Sequence, residues 1–140
     1  MTLIAFAAAM LLLAQAGPVP DVAARDSAPP ELGRTIILRG LDKVTGRLST
    51  IEAPAGERVR FGTLRIEAKT CEKTPPEEPP ERTAFLEIDN IPAAGGPPTR
   101  VFTGWMFASS PAVNALEHPV YDVWLIDCKI ADPEASAGKR

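Results

Sequence analysis

The sequence predicts a mainly β protein, either a small antiparallel β-sandwich or a partly open barrel, with one short helix. The 140 residues include 15 Pro and 10 Gly, which interrupt the chain too often for a helical bundle. About seven short runs have the alternation or the β-branched composition of strands. Strands joined by frequent turns therefore account for most of the chain.

The first strands are predicted at residues 34–40 and 47–53, with the turn sequence DKVTG between them. Further along, apolar residues occupy odd positions as far as Phe61 and even positions from Leu64. A bulge or tight turn at Gly62 would restore the pattern. If the even alternation continues as a regular strand, Cys71 lies out of phase with the core face or beyond the strand end.

The second half predicts three more strands and two connectors. Residues 74–81 (TPPEEPPE) combine four Pro with three Glu, which favours an exposed acidic loop. Residues 82–90 alternate as a strand, and residues 91–98 (IPAAGGPP) form the second connector. Residues 99–107 and 120–128 are apolar on both faces, which is typical of central strands covered on each side.

The ends of the chain differ in composition from the middle. Residues 3–14 are wholly apolar and lead into Ala14-Gln15-Ala16, so we expect residues 1–16 to be a cleaved export signal and the product to be periplasmic, with no membrane span after cleavage. An uncleaved anchor is the alternative, although the apolar run is short for a membrane span. The composition of the chain after residue 16 predicts a flexible linker (17–33), a single β-rich domain (34–130) and a disordered tail (131–140).

Export determines what the two cysteines are expected to do. In an oxidising compartment, two distant cysteines more often form a structural disulfide than a metal or redox pair. Cys71 and Cys128 lie 57 residues apart. Closing such a loop stabilises a fold by about 4 kcal/mol through the chain entropy of the unfolded state. Two free thiols are the alternative.

Charge and ligand counts exclude several functions. Fifteen Lys and Arg against eighteen Asp and Glu give a net charge of −3, so we expect no nucleic-acid partner. One His and two Cys supply too few ligands for a multi-ligand zinc centre or an iron–sulfur cluster, and we expect no cofactor. A metal bound by Glu117, His118 and Asp122 remains an alternative with one nitrogen ligand.

The segment between residues 99 and 128 holds both Trp, the only Tyr, the only His and one Cys. Ser110 and Pro111 resemble the cap and first position of a helix, which predicts about two helical turns over residues 111–117, with Val113 and Leu116 on the inner face. Pro119 ends this helix at His118. There, the carbonyl dipoles would favour the imidazolium form of the ring.

The polar residues of this segment allow two interpretations. In a small hydrolase, Ser109 or Ser110 would be the nucleophile, His118 the base, and Asp122 or Glu117 the residue that orients it. That interpretation requires a serine hydroxyl within about 3.2 Å of the His118 ring, or one water away. In the other, Ser110 caps the helix and His118 hydrogen-bonds backbone. The absence of a GxSxG motif favours the second.

The aromatic residues also allow two interpretations. Trp105, Phe107, Tyr121 and Trp124 contribute first to core area. An exposed Trp105 beside Arg100 would instead stack on a sugar ring or form a hot spot for a protein partner.

The string VFTGWMFASSPAVNALEHPVYDVWLIDC at residues 101–128 resembles the closing signature of a bacterial family known as domain of unknown function 2155. GWMFASSP and NALEHPVYDVW carry the resemblance, and a looser similarity extends from Arg34 to Cys71. The resemblance implies an exported, single-domain, β-rich protein and no particular activity or cofactor.

Together, these observations favour a non-catalytic periplasmic module that binds an envelope protein or a glycan. A hydrolase using Ser110 and His118 and a purely structural envelope component are the alternatives. The predicted binding residues are Trp105, Phe107, Ser109, Ser110, Glu117, His118 and Tyr121.

Overall fold

The computed structural model describes residues 33–131, which form seven strands in two antiparallel sheets. The mainly β prediction is confirmed. The predicted export signal, nearly all of the linker and nearly all of the tail lie outside the described residues. The strands are β1 (Arg34–Asp42), β2 (Arg47–Pro54), β3 (Arg58–Phe61), β4 (Leu64–Lys73), β5 (Arg82–Asn90), β6 (Thr99–Phe107) and β7 (Tyr121–Ile130).

The strands follow one another around a sandwich in chain order. One sheet has the order β2-β1-β7 and the other the order β3-β4-β5-β6. Chain-consecutive strands are therefore paired within each sheet, and β7 returns to pair with β1. Two seams, between β2 and β3 and between β6 and β7, separate the sheets. The arrangement is a β-sandwich rather than a closed barrel.

The inner faces of the two sheets form the core. Successive side chains of a strand point to opposite faces, so alternate residues of β1, β4 and β5 meet in the middle. Burying each large aliphatic side chain stabilises the fold by about 1.5–3 kcal/mol. The fully buried aliphatic residues of these strands include Ile36, Leu38, Leu64, Ile66, Leu86 and Ile88.

A β-bulge at Lys69 brings Cys71 into the core. The pairing of β4 with β5 shifts between Ala68 and Thr70. One extra residue moves the side chains that follow it to the opposite face, which corrects the phase of Cys71. Cys71 is fully buried and forms the predicted disulfide with Cys128 of β7, at a Cα–Cα distance of 5.8 Å. This bond links the two sheets.

The tight turn predicted at Gly62 is also confirmed. β3 ends at Phe61 and β4 begins at Leu64, which leaves a two-residue hairpin turn. Gly62 has φ +58°, a conformation that favours glycine at the first position of such a turn. A Cβ atom at Gly62 would also overlap the Tyr121 hydroxyl.

The prediction that the last two strands are central is wrong. β6 and β7 are edge strands of different sheets. Phe102 and Met106 of β6 face the core, whereas Trp105 is 38% exposed on the outer face. On β7, Ile126 is 39% exposed. Apolar residues on both faces of these strands therefore reflect exposed apolar side chains, not two buried faces.

The predicted helix over residues 111–117 is also wrong. Residues 108–120, which we call the closing segment, contain only a 3₁₀ turn at Pro111–Val113. The Ser110 side chain makes no capping hydrogen bond, and Val113 is 71% exposed. Leu116, only 4% exposed, packs into the core as predicted. Two helical turns are marginal in isolation, so packing of Leu116 across the seam between β6 and β7 determines the path.

Within residues 33–131, no helix has the length and apolar character that a membrane crossing requires.

Candidate binding surface

Aromatic side chains reach solvent on the outer face of the four-stranded sheet. The strand register aligns side chains of β4, β5 and β6 in rows across this face. We call Phe85, Trp105 and Phe107 the aromatic patch. One row contains Thr70, Phe85 and Trp105, and the next contains Glu72, Thr83 and Phe107.

Trp105 is the centre of the aromatic patch. Its ring lies 5.6 Å from that of Phe85 at an interplanar angle of 75°, an edge-to-face contact. Such pairs contribute about 0.5–1.5 kcal/mol beyond their buried area, so this contact restricts the motion of the indole. Phe85 and Phe107 are half-buried beside it. The patch is therefore an apolar surface with a defined shape.

The backbone at Trp105 is fixed from the edge of the sheet. The Asn114 side-chain amide donates a hydrogen bond of 2.9 Å to the Trp105 carbonyl oxygen. Gly104 permits this approach, because a Cβ atom there would lie 2.7 Å from the Asn114 amide nitrogen. Gly104 and Asn114, both in the segment that carries the family resemblance, thus hold the exposed edge strand in place.

The other half of the same face is an ion-paired network, which we call the charge ladder. Arg65 and Arg100 contact Asp89 at 2.8 and 2.5 Å. These two hydrogen bonds lower the pKa of Asp89. Each carboxylate of the charge ladder has a cation within 3.4 Å, and four cations against three carboxylates leave this half with no unpaired negative charge. Its members are Arg58, Arg65, Glu67, Lys69, Glu87, Asp89 and Arg100.

Carboxylates near the aromatic patch are arranged differently. Residues 74–81 form the predicted exposed acidic loop. Thr74 closes its base, since the Thr74 hydroxyl donates to the Pro79 carbonyl and accepts from the Glu81 backbone N–H, both at 2.9 Å. Glu77 and Glu78 are exposed, and neither forms an ion pair within the described part of the chain.

Ser109 is anchored to the end of this loop. Its backbone N–H and its hydroxyl both donate hydrogen bonds to the Glu81 carboxylate. The bond from the Ser109 hydroxyl, followed by the one from its N–H, lowers the pKa of Glu81. The Ser109 hydroxyl therefore fixes the start of the closing segment, and neighbouring Ser110 is exposed.

His118 is held at the far end of the closing segment. Its Nδ1 atom accepts hydrogen bonds from the Val120 and Tyr121 backbone N–H groups, both at 3.1 Å. The proton consequently resides on Nε2, which lies 3.3 Å from Asn90 Oδ1. Burial and the nearby Lys43 ammonium lower the pKa of His118. The expected imidazolium is wrong, because no helix ends at this residue.

Tyr121 belongs to the same structural cluster. Its ring stacks on His118 at 5.4 Å and meets Phe61 edge-on at 5.3 Å. The phenol lies over Gly62, where only a glycine leaves room. Glu117 is exposed nearby.

The structure places the seven predicted binding residues in two groups. Ser109 is bound to Glu81, which precedes β5, whereas His118 is bound to Asn90, the last residue of that strand. Nine strand residues span about 30 Å. The serine–histidine hydrogen bond that the hydrolase interpretation requires is therefore not formed. Trp105, Phe107, Ser109 and Ser110 make up one group, and Glu117, His118 and Tyr121 make up the other.

The metal-binding alternative also lacks an assembled site. The described residues contain no group of three or more His, Cys, Asp or Glu side chains that could hold a metal ion. Asp122, one of the three suggested ligands, instead pairs with Lys43 at 2.8 Å.

A shallow groove of about 350 Å³ lies between the closing segment and β7. Its apolar lining includes Ala112, Ala115, Leu116 and Trp124. The Asp122 carboxylate at its side is already held by Lys43. The groove therefore carries no free charge that would orient a ligand.

Phe85 and Glu72 are part of the surface but were not among the predicted binding residues. Phe85 falls between the inward residues Ala84 and Leu86, so the alternation of β5 already placed an aromatic side chain on the outer face. Glu72 could not be assigned to the surface from sequence alone, because its position beside Thr83 depends on the bulge at Lys69.

The fold and this surface define a disulfide-linked β-sandwich with an exposed aromatic patch. Residues 36–128 match the family described as "Uncharacterized protein conserved in bacteria (DUF2155)", and the chain belongs to this family. The resemblance in the signature segment is thus confirmed.

A curated relative is similar to 88 residues of this chain. The chain is 31% identical over 88 residues to "Uncharacterized protein RP359" from Rickettsia prowazekii (strain Madrid E). The match covers 63% of this chain and 56% of that protein, so the chain spans little more than half the length of this relative. No solved structure matches the chain.

Proposed function

We propose that this protein is a non-catalytic binding module of the periplasm that docks an envelope protein through the aromatic patch. The observation that carries the proposal is the position of Trp105. Trp105 is 38% exposed, and it is the only exposed aromatic side chain among the described residues. It stands on the outer face of a sheet, where folding does not require it.

Aromatic residues of this kind supply much of the energy of protein interfaces. The Phe85 contact and the Asn114 hydrogen bond already fix Trp105 and its backbone, so little conformational entropy would be lost on binding. Other exposed apolar residues, such as Val44 and Val113, lie in turns rather than on the outer face of the four-stranded sheet. They do not build a comparable surface.

Two further observations support the proposal. The Ser109 hydroxyl and both His118 ring nitrogens already have hydrogen-bond partners in separate parts of the molecule, which favours binding over hydrolysis. The apolar run at residues 3–14 and the buried disulfide are typical of an exported protein.

The proposal is tested by crosslinking in intact cells that express the full chain. Trp105→Ala removes the centre of the patch without touching the core, so the melting temperature should change little. A hot-spot residue contributes about 2 kcal/mol or more, so we expect about 30-fold weaker partner binding and a corresponding loss of the crosslinked complex.

Val44→Ala is the matched control, because Val44 is an apolar residue that is 78% exposed in the turn between β1 and β2, which belong to the other sheet. Its complexes should match those of the wild type. Complexes that persist in folded Trp105→Ala would contradict the proposal and favour a purely structural role. A complex that contains glycan and no protein would contradict the choice of an envelope protein.

A further inference from the structure

We infer that the envelope partner presents a cationic, extended segment to the aromatic patch. This inference rests on the proposed function and adds the chemistry of the partner to it. It follows from the charge around the patch, from the aromatic residue at its centre, and from the spacing between them.

The carboxylates that border the patch lack cations. Glu72 lies in the same row as Phe107, and Glu77 and Glu78 project from the acidic loop at the same end of the sheet. None of these three forms an ion pair with a described residue. In the charge ladder, on the same face, every carboxylate is paired. The two halves of one face therefore differ in unsatisfied charge.

The cations at this end are already engaged. Lys73 and Arg82 both contact Asp127, at 3.2 and 3.1 Å. The Arg34 guanidinium donates to the Cys71 carbonyl oxygen. Among the described residues, these three cations face five carboxylates, so this part of the surroundings is net negative and attracts positive charge. The five carboxylates are Glu72, Glu77, Glu78, Glu81 and Asp127.

Trp105 matches a cationic partner as well. The face of an indole ring attracts the guanidinium of Arg or the ammonium of Lys, and tryptophan does so better than the other aromatic residues. The aliphatic stem of the same side chain would cover Phe85 or Phe107. A Lys- or Arg-containing segment thus satisfies both the apolar and the charged parts of the surface.

The spacing indicates the form of this segment. Glu72 and Trp105 are separated by two strand spacings and one two-residue step, about 12 Å between backbone positions. An extended chain covers this distance in about four residues. Four prolines and the Thr74 hydrogen bonds keep the acidic loop in one shape, so the carboxylates are positioned before binding. We expect basic residues about four positions apart in the partner.

The test places a photoreactive side chain between the two halves of the surface. Thr83→p-benzoylphenylalanine is introduced into the full chain in intact cells, because Thr83 lies between Glu72 and Phe107 in one row. After irradiation, the crosslinked partner peptide is sequenced. We expect at least two Lys or Arg within about four residues of the adduct.

Charge variants complete the test. The combined Glu72→Gln, Glu77→Gln and Glu78→Gln variant should reduce the adduct at least fivefold. Glu57→Gln should leave it unchanged, since Glu57 is exposed and without an ion pair in the described region but lies between β2 and β3, outside the acidic loop and the patch.

The outcomes separate this inference from the proposed function. An adduct that is lost in Trp105→Ala but unchanged in the triple variant, on a peptide without basic residues, would overturn the inference and leave the proposed function intact. Absence of any protein adduct at position 83, or an adduct unaffected by Trp105→Ala, would overturn both.

Discussion

The two ends of the closing segment are both anchored by hydrogen bonds, but they differ in what they leave exposed. At the His118 end, the ring nitrogens are satisfied by Asn90 and by two backbone N–H groups, and Tyr121 packs over the ring. At the Ser109 end, the anchoring bond to Glu81 adjoins an exposed Trp105. At the His118 end, the polar groups are bonded to other residues of the same chain, whereas the Ser109 end lies beside an exposed apolar surface.

This difference separates two roles within one signature segment. Residues whose partners all lie inside the molecule contribute to stability, so their loss should be measured as a change in the free energy of unfolding. An exposed indole contributes little to that quantity and can contribute to binding. Substitutions at the two ends should therefore affect different measurements.

The largest effect is expected for Leu116→Ala. Leu116 is 4% exposed and anchors the closing segment in the core, so truncation removes buried area and leaves a cavity. We expect the free energy of unfolding to fall by about 2–5 kcal/mol, measured by urea denaturation. Val113→Ala, in the same segment but exposed, should change it by less than about 0.5 kcal/mol. Equal values for both variants would show that the closing segment does not pack as described.

A smaller loss is expected for His118→Ala. The Val120 and Tyr121 N–H groups, which are partly buried, would lose their acceptor, and leaving such donors unpaired costs about 1–3 kcal/mol. Urea denaturation at pH 7.5 measures this difference, with Glu117→Ala as the exposed neighbouring control. The crosslinked complex should persist wherever the variant is folded. Its loss in folded protein would place His118 in the binding surface and remove the distinction between the two ends.

The sequence predicts the positions of strands and turns in this fold better than it predicts which strands lie side by side. Composition and apolar patterning predicted five strands close to their observed bounds, and the change of phase located the turn at Gly62 between two more. Strand order is different, because it depends on which edges pair. The composition of β6 and β7 was interpreted as burial on both faces, but both are edge strands, and their outer faces expose Trp105 and Ile126.

The candidate site shows the same limit. Trp105 and Phe107 were identified from their residue types, and Phe85 was recognisable from its outward position in β5. The bonds of Ser109 to Glu81 and of His118 to Asn90 join residues 28 positions apart in each case, and no local pattern indicates them. Ser109, Ser110 and His118 lie close together in the sequence, which suggested that they were catalytic partners. These long-range contacts instead hold the serines and His118 apart.

The smallest effect is a pH dependence at the His118 end. Burial and the Lys43 ammonium lower the pKa of His118 in the folded protein, whereas an unfolded histidine titrates near about 6.5. As the pH falls below that value, the unfolded chain binds a proton that the folded chain binds only at lower pH. The stability that the neutral ring contributes is therefore present above about pH 6.5 and is lost progressively below it.

This loss is measured by repeating the urea denaturation of wild type and His118→Ala between pH 7.5 and 5. The variant lacks the titrating ring, so the difference in unfolding free energy between the two proteins should narrow as the pH falls. Carboxylates titrate mainly near pH 4, and their contribution is shared by both proteins. Lys43→Met should reduce the narrowing, because it removes a positive charge that opposes protonation. If the difference in unfolding free energy stays constant over this range, the ring is not held in its neutral form. The hydrogen bonds described for His118 would then not explain the stability of that end of the closing segment.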